Sequence, residues 1–268
     1  MNADTTPRRT RAADGTSIAW RSAGRDDAPA IVLMHSLGAN GAMWAPQVPA
    51  FGANHRVVTL DTRGHRESDA PPGPYRLDEL ATDVLAVADE AGIERFHAVG
   101  LSLGGQMAMW LGAHAPHRVR SLVLADTGLR IGNDESWRAR IEGVTNGGMR
   151  AVRDAVLARW FAPKFEDRHA DWFAAAQTTF DAIDPMGYAA CCAALRDTDL
   201  TELAGRITAP TLVICGDVDL ATPPSEAERI HARIAGSELT ILDDAGHLSN
   251  LDQPEAFTAR VLEFLRDR

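Results

Sequence analysis

The sequence is poor in the features that mark secreted and membrane-spanning proteins. Cysteine occurs only three times, and two of the three are the adjacent Cys191 and Cys192, an arrangement that indicates reduced thiols and does not match a zinc site. The basic N-terminus, MNADTTPRRTRAADG, is followed by no apolar stretch, so we predict no secretory signal. No apolar run is long enough to span a bilayer. These features predict a cytoplasmic protein without a metal site.

Positive charge is also scarce. The chain has 27 Lys and Arg against 37 Asp and Glu, a net charge of -10. A general nucleic-acid binder needs excess Lys and Arg to neutralise phosphates, so neither nucleic acid nor an anionic membrane is a predicted partner. If the substrate is an anion, a local positive group must hold it against the overall field. Nothing in the sequence indicates an oligomeric state.

Short apolar runs alternate with helical patterns along most of the chain. This alternation predicts an α/β fold with a mostly parallel, twisted sheet flanked by crossover helices. Asp14-Gly15, between two extended stretches, predicts an opening β-hairpin. Helices are predicted from apolar spacing over 77–91, 104–115 and 254–264. The predicted strands are Ile31–His35, Val57–Asp61, Phe96–Gly100, Ser121–Asp126, Thr211–Gly216 and Glu238–Leu242.

The region 127–207 breaks this rhythm, because it contains no clear strand. Asp184-Pro185 is typical of a helix start, with Asp as the N-cap and Pro in the first turn. We therefore predict a helical cap at 127–207, inserted into a core formed by 1–126 and 208–268. Its predicted helices lie around Ser136–Glu142, Met149–Trp160, Arg168–Phe180 and Pro185–Arg196.

A nucleophile motif lies at the end of the third predicted strand after the hairpin. Gly100-Leu101-Ser102-Leu103-Gly104 fits the pattern G-x-S-x-G, which is common by chance but here follows a strand and opens a helix. Such a tight turn strains the backbone of the serine, and the flanking glycines let strand and helix approach. The helix N-terminus favours negative charge at the serine. The context predicts Ser102 as a catalytic nucleophile.

An oxyanion hole is predicted from two loops. In folds whose nucleophile lies in such a tight turn between a strand and a helix, one backbone N–H comes from the residue after the nucleophile. Another comes from the loop after an earlier strand. The loop His35-Ser36-Leu37-Gly38 follows such a strand. We therefore predict the amides of Leu37 and Leu103 as the donors, with His35 fixing the loop.

The acid and the base are predicted from chain order, since the acid and then the histidine follow the nucleophile in such folds. Of nine histidines, His247 is the one that follows the last strand, downstream of a strand-end acid. Asp219 is the predicted acid, because it lies beyond the strand end and can reach across to fix the imidazole tautomer. Asp217 and Asp126 remain alternatives for the acid.

Two sets of motifs carry a resemblance to known families. One set lies at 33–38, 61–65, 100–105, 216–224 and 246–251, and the cap motifs are Arg159-Trp160-Phe161 and 187–197. By the first set, the whole chain after the first dozen residues resembles the α/β-hydrolase superfamily, and by the second, the cap resembles the 3-oxoadipate enol-lactonases. The first resemblance implies the α/β-hydrolase fold, and the second implies that Ser102, Asp219 and His247 form the triad. The second also implies a hydrolase of aromatic catabolism that opens 3-oxoadipate enol-lactone, a small anionic lactone, through an acyl-enzyme and without a cofactor.

Substrate-binding residues are sought in the cap. Arg138 is a candidate for the cation that binds the substrate carboxylate, beside Trp137, and Trp160 is a candidate for an apolar wall. One departure from the superfamily is Arg66, which replaces a glycine in Arg63-Gly64-His65-Arg66 and casts doubt on the geometry of that loop and on activity. The alternatives are a general carboxylesterase, a C–C bond hydrolase, a cofactor-free perhydrolase or a non-enzymatic ligand receptor.

Overall fold

The computed structural model describes residues 4–266 and 268 and contains one eight-stranded sheet. The strand order is β1-β2-β4-β3-β5-β6-β7-β8, with β1, β2 and β4 paired antiparallel and every later pairing parallel. The mostly parallel sheet predicted from the sequence is therefore confirmed. The strands are β1 (Asp4–Arg11), β2 (Ser17–Gly24), β3 (Ala30–Met34), β4 (Arg56–Leu60), β5 (Phe96–Leu101), β6 (Val119–Ala125), β7 (Thr211–Gly216) and β8 (Glu238–Leu242).

The central strands β3, β5 and β7 are buried along their whole length, as expected for parallel strands covered on both faces. The opening hairpin is also confirmed. It turns at Gly15, whose φ of 88° suits a residue without a Cβ. Each parallel strand delivers its carboxyl end to the same edge of the sheet, and this edge carries the residues singled out from the sequence.

The helices agree with the predicted patterns where apolar spacing was strong, as in α2, α3, α8 and α12. The sequence predicts neither the four-residue helices, which are too short to show apolar periodicity, nor the helix at Pro224–Arg233. The helices are α1 (Val48–Phe51), α2 (Leu77–Glu90), α3 (Leu103–His114), α4 (Asp134–Gly147), α5 (Arg150–Leu157), α6 (Phe165–Arg168), α7 (Ala170–Asp181), α8 (Pro185–Asp197), α9 (Thr201–Ala204), α10 (Pro224–Arg233), α11 (Ser249–Asp252) and α12 (Pro254–Leu265), with a 3-10 turn at Gly41–Trp44. None of the helices in the described residues is long and apolar enough to cross a membrane.

Six helices, α4 to α9, lie between β6 and β7, and we call residues 127–207 the helical segment. The division of the chain into a core and a cap at these bounds stays a prediction. The segment contacts the core closely where Gly187 of α8 meets Gly64, since a Cβ on Gly187 would lie 2.5 Å from the Cα of Gly64. Cys191 and Cys192 are fully buried in α8, and burial raises the pKa of both thiols, which fits packing and not chemistry.

Candidate active site

Ser102 lies in the turn between β5 and α3 and has a strained backbone, with φ 58° and ψ -113°. The turn is tight enough that a Cβ on Gly100 would lie 2.1 Å from the carbonyl oxygen of Gly104. A Cβ on Gly104 would in turn lie 2.2 Å from the carbonyl oxygen of Met34. The predicted strain at the serine and the predicted need for both glycines are therefore observed. Ser102 is buried, and its side chain faces a cavity.

Asp219 and His247 follow β7 and β8, and their side chains meet. The Nδ1 of His247 lies 2.9 Å from Oδ2 of Asp219. The carboxylate also accepts hydrogen bonds from the N–H groups of Ala221 (2.7 Å) and Thr222 (2.9 Å) and from the Thr222 hydroxyl (2.7 Å). Burial alone would raise the pKa of Asp219, but the contacts with His247 and Thr222 outweigh it, and the pKa is lowered. The carboxylate therefore stays ionised beside the imidazole.

The two alternative acids are occupied elsewhere. Asp126 accepts hydrogen bonds from the N–H of Gly216 (2.9 Å) and from the Ser249 hydroxyl (2.5 Å). Burial, and then the charge of Asp219, raise its pKa well above the usual value. Asp217 is exposed and accepts a hydrogen bond from the N–H of Ala245 (3.2 Å). Of the three acids, Asp219 is the one in contact with His247, while its catalytic role stays a prediction.

One group of possible metal ligands occurs in the described residues, where Asp126, Cys215 and Asp219 bring their ligand atoms within 4.8 Å of one another. These groups do not fit a metal. A thiol binds metals as the thiolate, and burial raises the pKa of Cys215, which keeps it protonated. The carboxylates of Asp126 and Asp219 already accept hydrogen bonds from Ser249 and His247.

Two buried, neutral histidines hold the loop that follows β3. The Nε2 of His65 accepts a hydrogen bond from the N–H of Gly38 (3.0 Å). The Nε2 of His35 accepts one from the N–H of Thr62 (2.8 Å), which leaves the proton on Nδ1, 2.7 Å from the Ser36 carbonyl oxygen. Burial lowers the pKa of both rings, and the charge of His35 contributes to bringing that of His65 to about 3. The structure thus shows His35 fixing the loop, as predicted. His65 has the same role, which the sequence analysis did not predict.

The two predicted oxyanion donors are available. Within residues 4–266, the N–H groups of Leu37 and Leu103 donate no hydrogen bond to another protein group. Leu103 is the first residue of α3, directly after Ser102, and Leu37 lines the same cavity as Ser102. Buried backbone amides are normally paired, so two free ones beside a serine suit an incoming oxygen. Their assignment stays a prediction.

Arg66, where the sequence casts doubt on the loop geometry, has a left-handed backbone conformation, with φ 46°. This backbone region favours glycine, as the departure from the superfamily pattern predicts. The side chain of Arg66 lies near Asn40 (Nη1 to Oδ1 3.3 Å) and Glu67 (Nε to Oε1 3.3 Å). The loop therefore keeps the conformation that glycine favours, at a cost in strain.

The cavity has a volume of about 60 Å³ and brings several of the predicted residues together, but not Arg138. Arg138 is exposed and ion-paired with Asp134 (2.7 Å), so its assignment to the substrate carboxylate has no support in its position. Arg140 and Arg159 line the cavity instead. The residues that line it are Ser36, Leu37, Ser102, Ile131, Gly132, Ser136, Trp137, Arg140, Val156, Arg159, Trp160, Leu195, Ala221 and His247.

A sequence signal for Arg140 was present. The buried residues of α4 are Trp137 and Val144, and Arg140 lies three residues after the tryptophan, on the same face of the helix. Arg138 lies one residue after it and points away. Trp137 itself is fixed by a hydrogen bond from its Nε1 to the carbonyl oxygen of Ile131 (2.6 Å). The guanidinium carbon of Arg140 lies 5.0 Å from the centre of the Trp137 ring.

Comparison with known proteins finds relatives that share this fold. A family model described as the alpha/beta hydrolase fold matches residues 29–254. Two 3-oxoadipate enol-lactonases of Acinetobacter baylyi are similar, one 34% identical over 94% of both chains and the other 37% identical over 91% of both. The crystal structure of an enol-lactonase from Burkholderia xenovorans superimposes with a TM-score of 0.95, at 39% identity, over 97% of this chain and 100% of the other.

Proposed function

We propose a function for this protein from one premise: the chain belongs to the α/β-hydrolase fold family, and within it to the group of the 3-oxoadipate enol-lactonases. The proposed reaction is hydrolysis of 3-oxoadipate enol-lactone to 3-oxoadipate, a step in the breakdown of aromatic compounds by the β-ketoadipate pathway. The relatives carry this activity in their names, and the chain has a buried serine, a histidine and an ionised aspartate at the matching strand ends.

In the proposed mechanism, His247 takes the proton from the hydroxyl of Ser102, whose oxygen attacks the lactone carbonyl carbon. Asp219, fixed by its hydrogen bonds from Ala221 and Thr222, holds the imidazole tautomer and stabilises the imidazolium. The ring C–O bond breaks and the enolate leaves. The enolate is protonated at carbon to give the ketone, which balances the proton that His247 gives up as it returns to the neutral form. A water molecule, deprotonated by His247, then hydrolyses the ester on Ser102 and releases the second carboxylate.

The negative oxygen of the tetrahedral intermediate is stabilised in this mechanism by the N–H groups of Leu37 and Leu103. These groups have no other hydrogen-bond partner in the described part of the chain, so they need not break a bond to receive the charge. The position of Leu37 depends on its neighbour Gly38, which is held by His65. A neutral histidine suits this task, because it accepts the Gly38 N–H without adding a charge to the loop.

The observation that carries the proposal is the charge of the cavity. Arg140 and Arg159 line it together with Ser102 and His247, and neither forms an ion pair within the described residues. Arg159 is held by a hydrogen bond from Nη2 to the carbonyl oxygen of Leu220 (2.8 Å). Burial, and then the charge of Arg140, lower the pKa of Arg159, and the charge of Asp219 only partly offsets this repulsion between the two cations. A substrate carboxylate would relieve this repulsion.

A carboxylate-bearing lactone satisfies this requirement, whereas a neutral ester does not. In a chain with net charge -10, these two guanidinium groups supply the local positive charge that an anionic substrate needs against the overall field. We therefore assign Arg140 and Arg159, and not Arg138, to the carboxylate of the substrate. Trp137 and Trp160 form the apolar part of the same cavity.

The test compares the enol-lactone with a neutral ester of similar size, p-nitrophenyl acetate. Wild type should turn over the enol-lactone, and Ser102→Ala should reduce kcat by roughly 10⁴- to 10⁶-fold. Arg140→Met and Arg159→Met should each lower kcat/KM for the enol-lactone by roughly 10- to 100-fold, the value of one hydrogen bond between charged groups. Hydrolysis of the neutral ester should change little.

Arg138→Met is the matched control, since this arginine is exposed and paired with Asp134. It should leave both activities unchanged. Turnover of the neutral ester alone by the wild type would contradict the lactonase proposal and favour a general carboxylesterase. Equal effects of all three arginine substitutions would contradict the assignment of the carboxylate site.

A further inference from the structure

The loop that carries His247 is linked on both sides to one short stretch of the helical segment, directly on one side and through Asp252 on the other. The N–H of Gly246 donates to Oδ2 of Asp252 (2.7 Å), and the N–H of Ala162 donates to the same oxygen (3.0 Å). On the other side of the histidine, the N–H of Leu248 donates to the carbonyl oxygen of Trp160 (2.8 Å). The residues before and after His247 are therefore both tied to residues 160–162.

The two backbones are in direct contact at this point. A Cβ on Gly246 would lie 2.7 Å from the backbone nitrogen of Ala162 and 3.0 Å from the carbonyl oxygen of Trp160. No residue other than glycine fits at position 246 without displacing one of the two backbone segments. The His247 loop and the helical segment can thus approach closely enough for a single carboxylate oxygen to accept a hydrogen bond from each.

Asp252, at the end of α11, is itself buried, with 4% of its surface exposed. It forms no ion pair within the described residues, and its second oxygen, Oδ1, is buried without a hydrogen-bond partner. Burial raises its pKa, while the two backbone N–H groups act against this shift. The charges of Arg168 and His169 also act against the shift, but neither forms an ion pair with Asp252 in the described residues. A buried carboxylate without an ion-pair partner is costly, so its presence needs a reason other than general stability.

We propose that Asp252 is a positioning residue that fixes the His247 loop against residues 160–162, so that the base and the wall of the cavity are placed together. The inference rests on the proposed role of His247 as the base. Residues 159 and 160 line the cavity, and residue 252 reaches this part of the chain from a distance of 90 positions in sequence. Asp252 thus fixes the distance between two sides of the cavity. One side is formed by the helical segment, and the other carries the imidazole of His247.

The geometry matters because proton transfer depends steeply on distance. A displacement of about 1 Å in a catalytic group lowers the rate by roughly 10²-fold even when the substrate still binds. His247 is held on its other face by Asp219, which fixes the ring but not the backbone that carries it. Loss of the Asp252 acceptor therefore leaves the N–H of Gly246, the residue next to His247, without its hydrogen bond, while the ring contact and the hydrogen bonds of Ala245 remain.

The experiment uses the full chain and compares Asp252→Ala with Asp252→Asn. Asp252→Ala removes the acceptor, and kcat should fall by roughly 10- to 100-fold on both the enol-lactone and p-nitrophenyl acetate, with KM within about threefold. Asp252→Asn keeps one carbonyl oxygen that can accept both N–H groups, so it should restore most of kcat. The exposed Asp243, four residues before His247, provides the control Asp243→Ala, with unchanged kinetics.

All variants are assayed below the onset of unfolding, measured for each by thermal denaturation. The inference is overturned if a folded Asp252→Ala keeps kcat within twofold of wild type, or if Asp252→Ala and Asp252→Asn lose equal activity. Should Asp252→Ala fail to fold, Asp252→Glu, with a carboxylate one methylene longer, must lower kcat more than Asp252→Asn does, and the inference is wrong if it does not. The neutral ester keeps these comparisons measurable even if the wild type does not turn over the enol-lactone.

Discussion

Arg66 places its guanidinium 3.3 Å from the side-chain oxygen of Asn40 while its own backbone is left-handed, at φ 46°. Asn40 is buried but Arg66 is exposed to solvent, so the contact compensates only weakly for the strain. A residue with a Cβ in this region costs about 1–2 kcal/mol relative to the right-handed region, and glycine avoids the cost. The loop lies between Gly64 and Ser68, close to the elements that hold the oxyanion loop.

The first prediction separates this strain from the contacts of the side chain. Arg66→Ala removes the contacts but keeps the Cβ, whereas Arg66→Gly removes both. We expect Arg66→Gly to be more stable than Arg66→Ala by about 0.5–1 kcal/mol, after the greater freedom of the unfolded glycine chain is included. Urea unfolding of the two variants measures this difference. Higher stability of Arg66→Ala would show that the backbone is not strained there.

The second prediction concerns the pH dependence of stability. Burial, and then the charge of His35, lower the pKa of His65 to about 3, whereas in the unfolded chain it is about 6.5. Between these values the unfolded chain binds a proton that the folded protein does not, so the stability that His65 provides is present above pH 6.5 and lost as pH falls towards 3. At pH 5 the loss is roughly 2 kcal/mol.

The measurement is the free energy of unfolding in urea at pH 7.5 and at pH 5. His65→Gln can keep an acceptor for the Gly38 N–H but cannot bind the proton, so it should lose less stability between the two pH values than wild type does, by about 2 kcal/mol. His114→Gln, at an exposed helix end, is the control and should behave as wild type. If the pH dependence of stability in His65→Gln is the same as in wild type, His65 is not the source of the stability lost at low pH.

The third prediction distinguishes the three acids that the sequence left open. Asp219→Asn should lower kcat by about 10⁴-fold, because an amide favours the wrong imidazole tautomer. Asp126→Asn and Asp217→Asn should each lower it by less than about 10-fold, since neither side chain bonds His247 in the described residues. The raised pKa of Asp126 makes the amide a close mimic of its neutral form. A larger loss in Asp126→Asn than in Asp219→Asn would reverse the assignment.

The residues that sequence analysis could find are those at strand ends. Ser102 directly follows β5, His247 lies in the loop after β8, and the carboxyl ends of parallel strands converge at one edge. The sheet, the hairpin and the longer helices follow from the same local patterns. Asp219 required more, because Asp217 and Asp126 also follow strands and only the contact with His247 distinguishes them.

The residues that sequence analysis could not find depend on packing between elements that are distant in the sequence. Asp252 meets Ala162 across 90 positions, and no local pattern in either stretch indicates the pairing. The carboxylate site in the helical segment is a different case. Because α4 has only two buried residues, its apolar face is poorly defined in the sequence, so the sequence suggests Arg138, whereas Arg140 is the residue of α4 that shares the face of Trp137 and lines the cavity.

The fourth prediction concerns Trp160, the predicted apolar wall. It lines the cavity of about 60 Å³ at Ser102 and also a second, mostly apolar cavity of about 230 Å³ between α7 and the 3-10 turn at 41–44. Its ring is held edge-on against Phe180, 5.8 Å between centroids, and both rings press on Gly38. Trp160 thus separates a small charged cavity from a larger apolar one.

Trp160→Ala should join the two cavities and admit a longer acyl chain. We expect the ratio of kcat/KM for p-nitrophenyl octanoate to that for the acetate to rise by ~10-fold or more, since each buried methylene contributes about 0.8 kcal/mol. Trp160→Phe keeps a ring in the partition and should change the ratio less. Ala176, which lines the apolar cavity, provides the decisive control: adding Ala176→Phe to Trp160→Ala fills the new space and should abolish the gain. If the double variant keeps the preference for octanoate, the longer chain binds elsewhere, and Trp160 is not the partition that limits the acyl group.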